Sequence, residues 1–140
     1  MSSDGTHFVT MRLSSGIIGS AHHTFGSNKN ANHENFSPAF KQGSFATSLD
    51  ELVYAQQFEC PNYLKIDVDG NEHLVIAGAG KLLKDSRLSS ILIELNKDLA
   101  VDQNIIETIK SNGFELTETG EDGIFKGMRL ANLIFSGVKV

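Results

Sequence analysis

Residues 48–140 carry a regular pattern of apolar and polar positions. Three segments with apolar side chains three and four positions apart predict helices: residues 48–57, 71–84 and 102–112. Ser48 and Glu51 predict a capping box at the start of the first helix, and Asn112-Gly113 predicts a left-handed end to the third. Four short apolar runs predict strands: residues 63–68, 90–95, 114–118 and 131–135. Helices and strands alternate along the chain, and this order indicates an α/β fold.

The same order predicts a mostly parallel sheet. Residues 90–95 are almost continuously apolar, which is typical of a strand covered on both faces in a parallel sheet. Only a turn separates the last two predicted strands, so they are expected to form an antiparallel hairpin at one edge of the sheet.

Residues 1–47 differ in character, being rich in Gly, Ser, Asn, His and Phe. Only residues 7–13 predict a strand, and residues 17–45 show no sustained period of 2 or 3.6. Four phenylalanines in this stretch argue against a solvated linker, because each ring favours burial. We therefore divide the chain into an irregular amino-terminal segment with one strand, residues 1–47, and an ordered α/β region, residues 48–140.

Composition narrows the class of protein. The 140 residues carry 12 basic and 17 acidic side chains, a net charge of −5 that argues against nucleic-acid binding. No apolar stretch approaches the length of a membrane span, and the first residues do not resemble a signal peptide. The single Cys60 can form neither an internal disulfide nor a thiolate zinc site. A cytoplasmic protein that binds neither nucleic acid nor membrane is expected.

Polar side chains end two neighbouring predicted strands. Lys65 and Asp67 share one face of the first strand, and Glu94 and Asn96 share a face of the second. If the strands are adjacent, Asp67 and Glu94 approach each other across the ladder. Two carboxylates so placed need a cation nearby. That cation is either Lys65, in a buried ion pair, or a Mg²⁺ ion held by Asp67, Glu94 and Asn96.

Other polar residues have both structural and functional interpretations. Asp69 and Glu72 have the spacing of a helix cap, which is the favoured interpretation of both. His23, beside His22 in the irregular segment, is a candidate catalytic residue, because binding residues concentrate on loops. Exposed loop histidines without such a role are nevertheless commoner.

A family resemblance involves the same residues. The segment at residues 48–52 (SLDEL), the run at residues 61–72 (PNYLKIDVDGNE) and the strand at residues 91–96 (ILIELN) resemble the FkbM family of methyltransferases. The resemblance implies a Rossmann-like fold and S-adenosylmethionine-dependent methylation of a hydroxyl on a small metabolite or sugar. It places Asp67 beside the cofactor and the acceptor oxygen, with Asp69 also assigned to cofactor binding. His23 and Asp67 are the candidate bases.

One part of the family pattern is missing. No glycine-rich cofactor turn precedes residue 70, and the only G-x-G of the chain is at residues 78–80. The resemblance therefore implies the carboxyl-terminal part of a methyltransferase domain, whose fourth strand would be an open edge. A homodimer mate or an amino-terminal partner chain could complete the sheet. Two alternatives are a non-catalytic remnant or accessory module, and an α/β domain that binds a metal or small ligand.

Overall fold

A computed structural model describes residues 7–15, 24–25, 35, 37–68, 70–121 and 130–138. The seven strands within these ranges are β1 His7–Leu13, β2 Thr24–Phe25, β3 Phe40–Ala46, β4 Tyr63–Ile66, β5 Ser90–Asn96, β6 Phe114–Glu121 and β7 Leu130–Gly137. The same ranges contain the α-helices α1 Glu72–Ala77 and α2 Ala100–Ser111. Short helical segments of other types are the π-helical Glu51–Ala55 and the 3₁₀-helical Leu82–Lys84. None of the described helices is both long enough and apolar enough to cross a membrane.

The amino-terminal region forms a three-stranded antiparallel sheet in the order β2-β1-β3. The sequence prediction of one strand in residues 1–47 is therefore incomplete, although the strand at residues 7–13 is confirmed. Strand β3 escapes prediction because its side chains, Phe-Lys-Gln-Gly-Ser-Phe-Ala, do not alternate between apolar and polar. Seven residues of β1 pair with it, so partners more than twenty-five positions away in sequence stabilise this strand.

The carboxyl-terminal region forms a four-stranded sheet in the order β4-β5-β7-β6. Strands β4 and β5 are parallel, whereas β5–β7 and β6–β7 are antiparallel. The predicted α/β class and the carboxyl-terminal hairpin are confirmed. The prediction of a mostly parallel sheet is wrong, because β7 inserts antiparallel between β5 and β6 and makes two of the three pairings antiparallel.

The core lies on one face of this sheet. Its largest fully buried side chains are Leu82, Leu88, Ile91, Ile93, Leu95, Ile109, Leu133 and Phe135. Burial alternates along β5, where every second residue is fully buried and those between are half-buried. The expected cover of β5 on both faces is therefore uneven in the described part of the chain: one face is fully buried and the other is half-buried. The buried Cys60 belongs to the same core.

The predicted helix at residues 71–84 is broken into α1 and the 3₁₀ segment. Gly78 ends α1, and a Cβ added there would lie 3.0 Å from the Cβ of Ser48. The Asp50 carboxylate accepts hydrogen bonds from the amides of Lys81 (2.8 Å) and Leu82 (2.9 Å). Gly78 thus allows a close approach of residues 48–50, and Asp50 caps the second short helix.

The other two predicted helices are found with small shifts. The Ser48 Oγ accepts a hydrogen bond from the Glu51 amide (3.0 Å), as the predicted capping box requires. Helix α2 begins at Ala100, two residues before the predicted start, and buries Ile105 and Ile109. The predicted left-handed end is confirmed, because Gly113 has φ +88°.

Gly113→Ala is expected to lower the free energy of unfolding by about 1–2 kcal/mol, because a Cβ is strained in the left-handed region even with no atom near it. Urea unfolding followed by circular dichroism measures the loss. Gly120→Ala in β6 is the matched control, since an added Cβ there makes only ordinary contacts at 3.7 Å. Equal losses in the two variants would contradict the role of backbone conformation.

Candidate functional site

The carboxyl ends of β4 and β5 lie side by side at one edge of the sheet. These strands are parallel, with Ile66 opposite Ile93 as the last pair in their register. Asp67 and Glu94 each follow that pair by one residue, so continuing the register places them opposite each other. Ligands of open α/β sheets bind at the carboxyl ends of parallel strands. This edge is therefore the candidate functional site.

Asp67 forms an ion pair at the edge. The Lys65 Nζ donates a hydrogen bond to Asp67 Oδ2 at 2.9 Å, with the two side chains 63% and 49% exposed. Asp67 raises the pKa of Lys65, first through this hydrogen bond and then through its charge, and the charge of Glu94 acts in the same direction. Lys65 is thus the predicted cation, although the pair is exposed and not buried. An exposed pair adds little stability, so a ligand can displace it at low cost.

Asn96 is engaged in the turn that follows β5. Its side-chain Oδ1 accepts a hydrogen bond from the Asp98 amide at 3.1 Å, and its own amide donates to Asp102 Oδ2 at 2.7 Å. Glu94, two residues earlier on the same face, is half-buried and lies opposite Asn132 of β7. The Asn96 side chain therefore shapes the strand end, with one acceptor position already used.

The predicted Mg²⁺ site gains no support from this arrangement. Within the described ranges, no three His, Cys, Asp or Glu side chains come together in a group that could hold a metal ion. The predicted ligand set of Asp67, Glu94 and Asn96 has only two carboxylates and stays a prediction.

The loop after Asp67 is held by a buried carboxylate. Glu72 Oε1 accepts hydrogen bonds from the amides of Val68 and Gly70, each at 3.2 Å, while its side chain is almost fully buried. Gly70 has φ +92°, a conformation that favours glycine. The capping interpretation of Glu72 is supported by these bonds, because the carboxylate binds amides ahead of α1. Asp69 lies outside the described residues.

Glu72→Ala is expected to lower the free energy of unfolding by about 1–3 kcal/mol, because two loop amides lose their acceptor. Glu72→Gln keeps an amide oxygen at that position and is expected to lose less. Urea unfolding measures both, with Glu107→Ala, on an exposed position of α2, as the control. A loss in Glu72→Ala no larger than in the control would show that Glu72 does not hold the loop.

The role of Asp102 does not follow from the sequence pattern. This buried carboxylate, in the first turn of α2, accepts the amide of Asn96 and so ties the helix to the end of β5. The signal in the sequence is an acidic residue at the predicted helix start, and this pattern predicts only a helix boundary.

The histidine candidates cannot be placed beside this site. His23, predicted as a catalytic residue, and its neighbour His22 lie outside the described residues. The candidate site thus comprises Lys65, Asp67, Glu94 and Asn96, while Glu72 and Asp102 bind backbone amides that follow or end the two strands.

Comparison with known proteins gives one match. A search of curated proteins and a search of solved structures each found nothing that matches the chain. A family model described as the methyltransferase FkbM domain matches residues 14–116, which include both site strands, strand β3 before them and helix α2 after them. Because the match covers well over half of the 140 residues, the chain belongs to the FkbM methyltransferase family.

Proposed function

We propose that this chain serves S-adenosylmethionine-dependent methyl transfer to a hydroxyl oxygen of a small metabolite or sugar. One observation carries the proposal: in an FkbM domain, an exposed carboxylate, Asp67, stands at the carboxyl end of a strand that pairs in parallel with its neighbour. The adjacent parallel pair β4–β5 supports a Rossmann-like ancestry for this half of the sheet.

The residues present fit part of a cofactor site. S-adenosylmethionine supplies, when bound, an electrophilic methyl group on a sulfonium cation. Asp67 already binds one cation, the Lys65 ammonium, and its exposure leaves it open to another positive charge. The glycine-rich turn of the family is the part that does not fit: the G-x-G at residues 78–80 follows α1 and approaches Ser48 and Asp50.

Asp67 would have two tasks at the acceptor. Its carboxylate can accept the hydroxyl proton as the oxygen becomes a nucleophile, and it can hold that oxygen in line with the methyl group. Lys65 holds the carboxylate in place by its hydrogen bond until the acceptor arrives. The same proposal includes three further assignments. Asp69 would contact the cofactor, His23 would be a second base, and a Mg²⁺ ion would lower the hydroxyl pKa.

The edge strand β4 indicates how the cofactor site would be completed. Among the described strands, β4 pairs only with β5, so one row of its backbone amides and carbonyls is open to another strand. We infer that a homodimer mate or an amino-terminal partner chain adds a strand here and brings the missing cofactor-binding residues.

Calorimetric titration of S-adenosylmethionine into the full chain tests the proposal. Saturable binding in the micromolar range is expected, with S-adenosylhomocysteine binding to the same site. Repeating the titration with Mg²⁺ and with a chelator tests the metal, and sedimentation of the same samples shows whether the binding species is a dimer. Absence of S-adenosylmethionine binding under all these conditions would overturn the proposal that this chain is active by itself.

The absent glycine turn favours one second candidate, a non-catalytic accessory module of the methyltransferase fold. Such a module would fold and unfold cooperatively yet show no heat with S-adenosylmethionine at any chain concentration. Binding that appears only after a partner chain is added would instead support the split methyltransferase.

A further inference from the structure

One face of the amino-terminal sheet has an aromatic end and a cationic end. Directly opposed residues of β1 and β3 point to the same face. The register therefore places on this face the pairs Phe8–Phe45, Thr10–Gly43 and Arg12–Lys41. Along these three pairs the face changes from two aromatic rings at one end to two positive charges at the other.

The cationic end has two charged donor atoms without an acceptor in the described part of the chain. Nε and Nη1 of the half-buried Arg12 are shielded from solvent, and neither has a hydrogen-bond partner among the residues that the structure describes. Lys41, exposed and directly opposite, adds a like charge, which destabilises a cross-strand pair. Buried charged donors are normally satisfied in native proteins. An oxyanion between the two side chains would supply the acceptor and relieve the repulsion.

The aromatic end lies close enough to act on the same ligand. Phe8 is 72% exposed and Phe45 73%, and their rings meet edge to face with centroids 5.5 Å apart. The Phe8 ring covers Gly43, where an added Cβ would lie 2.5 Å from the ring's Cζ atom. Gly43 is two residues from Lys41, or about 7 Å along the strand. One small molecule can therefore contact both ends.

We propose that this face binds a small oxyanion, a phosphate or a carboxylate, carried on an aromatic or other apolar group. The guanidinium of Arg12 and the ammonium of Lys41 hold the anion, and a bidentate contact from Arg12 suits both oxyanions. Phe8 and Phe45 cover the apolar part. The proposal is independent of methyl transfer, since none of these residues belongs to the edge formed by β4 and β5.

Titration of the ¹⁵N-labelled full chain with four probes tests the ligand chemistry. Phenyl phosphate is expected to bind most tightly, with shifts centred on β1 and β3. Comparison of inorganic phosphate with phenyl phosphate shows whether the ring contributes to binding. Comparison of benzoate with phenyl phosphate shows which oxyanion is preferred. Benzyl alcohol, which has the ring without the charge, is expected to bind at least tenfold more weakly. Equal binding of benzyl alcohol and phenyl phosphate would overturn the proposal.

Charge variants test the residues. Lys41→Gln is expected to weaken phenyl phosphate binding three- to tenfold and Arg12→Gln at least tenfold, whereas Lys84→Gln, at an exposed lysine elsewhere, leaves it unchanged. Phe45→Leu is expected to weaken phenyl phosphate binding but not inorganic phosphate binding. If Arg12→Gln does not fold, the phenyl phosphate affinity of Lys41→Gln still decides the test, because Lys41 is exposed. Equal affinities in Lys41→Gln and Lys84→Gln would overturn the assignment.

Thermal unfolding gives an independent readout of the orphaned guanidinium. Inorganic phosphate is expected to raise the Tm of the unmodified chain, because a ligand that binds only the folded state stabilises it. The same addition is expected to leave the Tm of Arg12→Met unchanged. A phosphate-dependent rise of the same size in both would contradict an anion site at Arg12.

Discussion

Asp67→Asn is expected to abolish methyl transfer while leaving the fold intact. Asparagine keeps the size of the side chain but removes the charge and the proton-accepting oxygen. A general base contributes roughly 10²–10⁴-fold to rate, so turnover should fall by at least about a hundredfold. Release of S-adenosylhomocysteine measures it, with monosaccharides, sugar phosphates and hydroxy acids offered as acceptors.

The fold of Asp67→Asn is expected to survive because the residue stabilises little. Its ion pair with Lys65 is exposed, and such pairs contribute about 0–1 kcal/mol. Urea unfolding of the variant should therefore match that of the unmodified chain within about 1 kcal/mol. Glu107→Gln, which removes an exposed charge from α2, is the control for net charge and should keep full turnover. Full turnover in Asp67→Asn would show that the catalytic assignment is wrong.

Phe135→Ala is expected to cause the largest loss of stability in the chain. Phe135 is fully buried in β7, opposite Ile91 of β5 and Leu116 of β6. Removing a buried ring costs the transfer free energy and leaves a cavity, together about 3–5 kcal/mol. The total free energy of unfolding of a domain of this size is about 5–15 kcal/mol, so a loss of this size should lower the Tm by about 10–20 °C.

Phe58→Ala is the matched control for this prediction. The same atoms are removed, but Phe58 is 64% exposed and its truncation opens no cavity. Its expected effect on the free energy of unfolding is within about 1 kcal/mol. Urea unfolding by circular dichroism compares the two variants. Similar losses would mean that the sheet does not pack around β7.

The pattern of the chain predicted those elements whose signals are local. Strands β5 and β7 are apolar runs, α2 has isoleucines at helical spacing, and Gly113 ends it as the Asn-Gly pair predicts. The pairing of Lys65 with Asp67 was also predicted, since alternation puts both side chains on one face. Its exposure was not, because exposure depends on what covers the strand end.

The chain by itself determined the α/β class, the approximate positions of most elements in residues 48–140 and the family, since caps, periodicity and motif lie within short stretches of sequence. Only the tertiary structure decided the strand order. β7, with alternating fully buried residues, takes the inner position, and β6, exposed from Glu115 to Gly120, takes the edge. The tertiary structure also decided that residues 40–46 form strand β3 and that two nitrogen atoms of Arg12 have no acceptor among the described residues. Both depend on residues distant in sequence. Long-range strand pairing reduces the number of unpaired buried polar groups and the exposed apolar surface of the whole molecule. A local sequence pattern does not encode this balance.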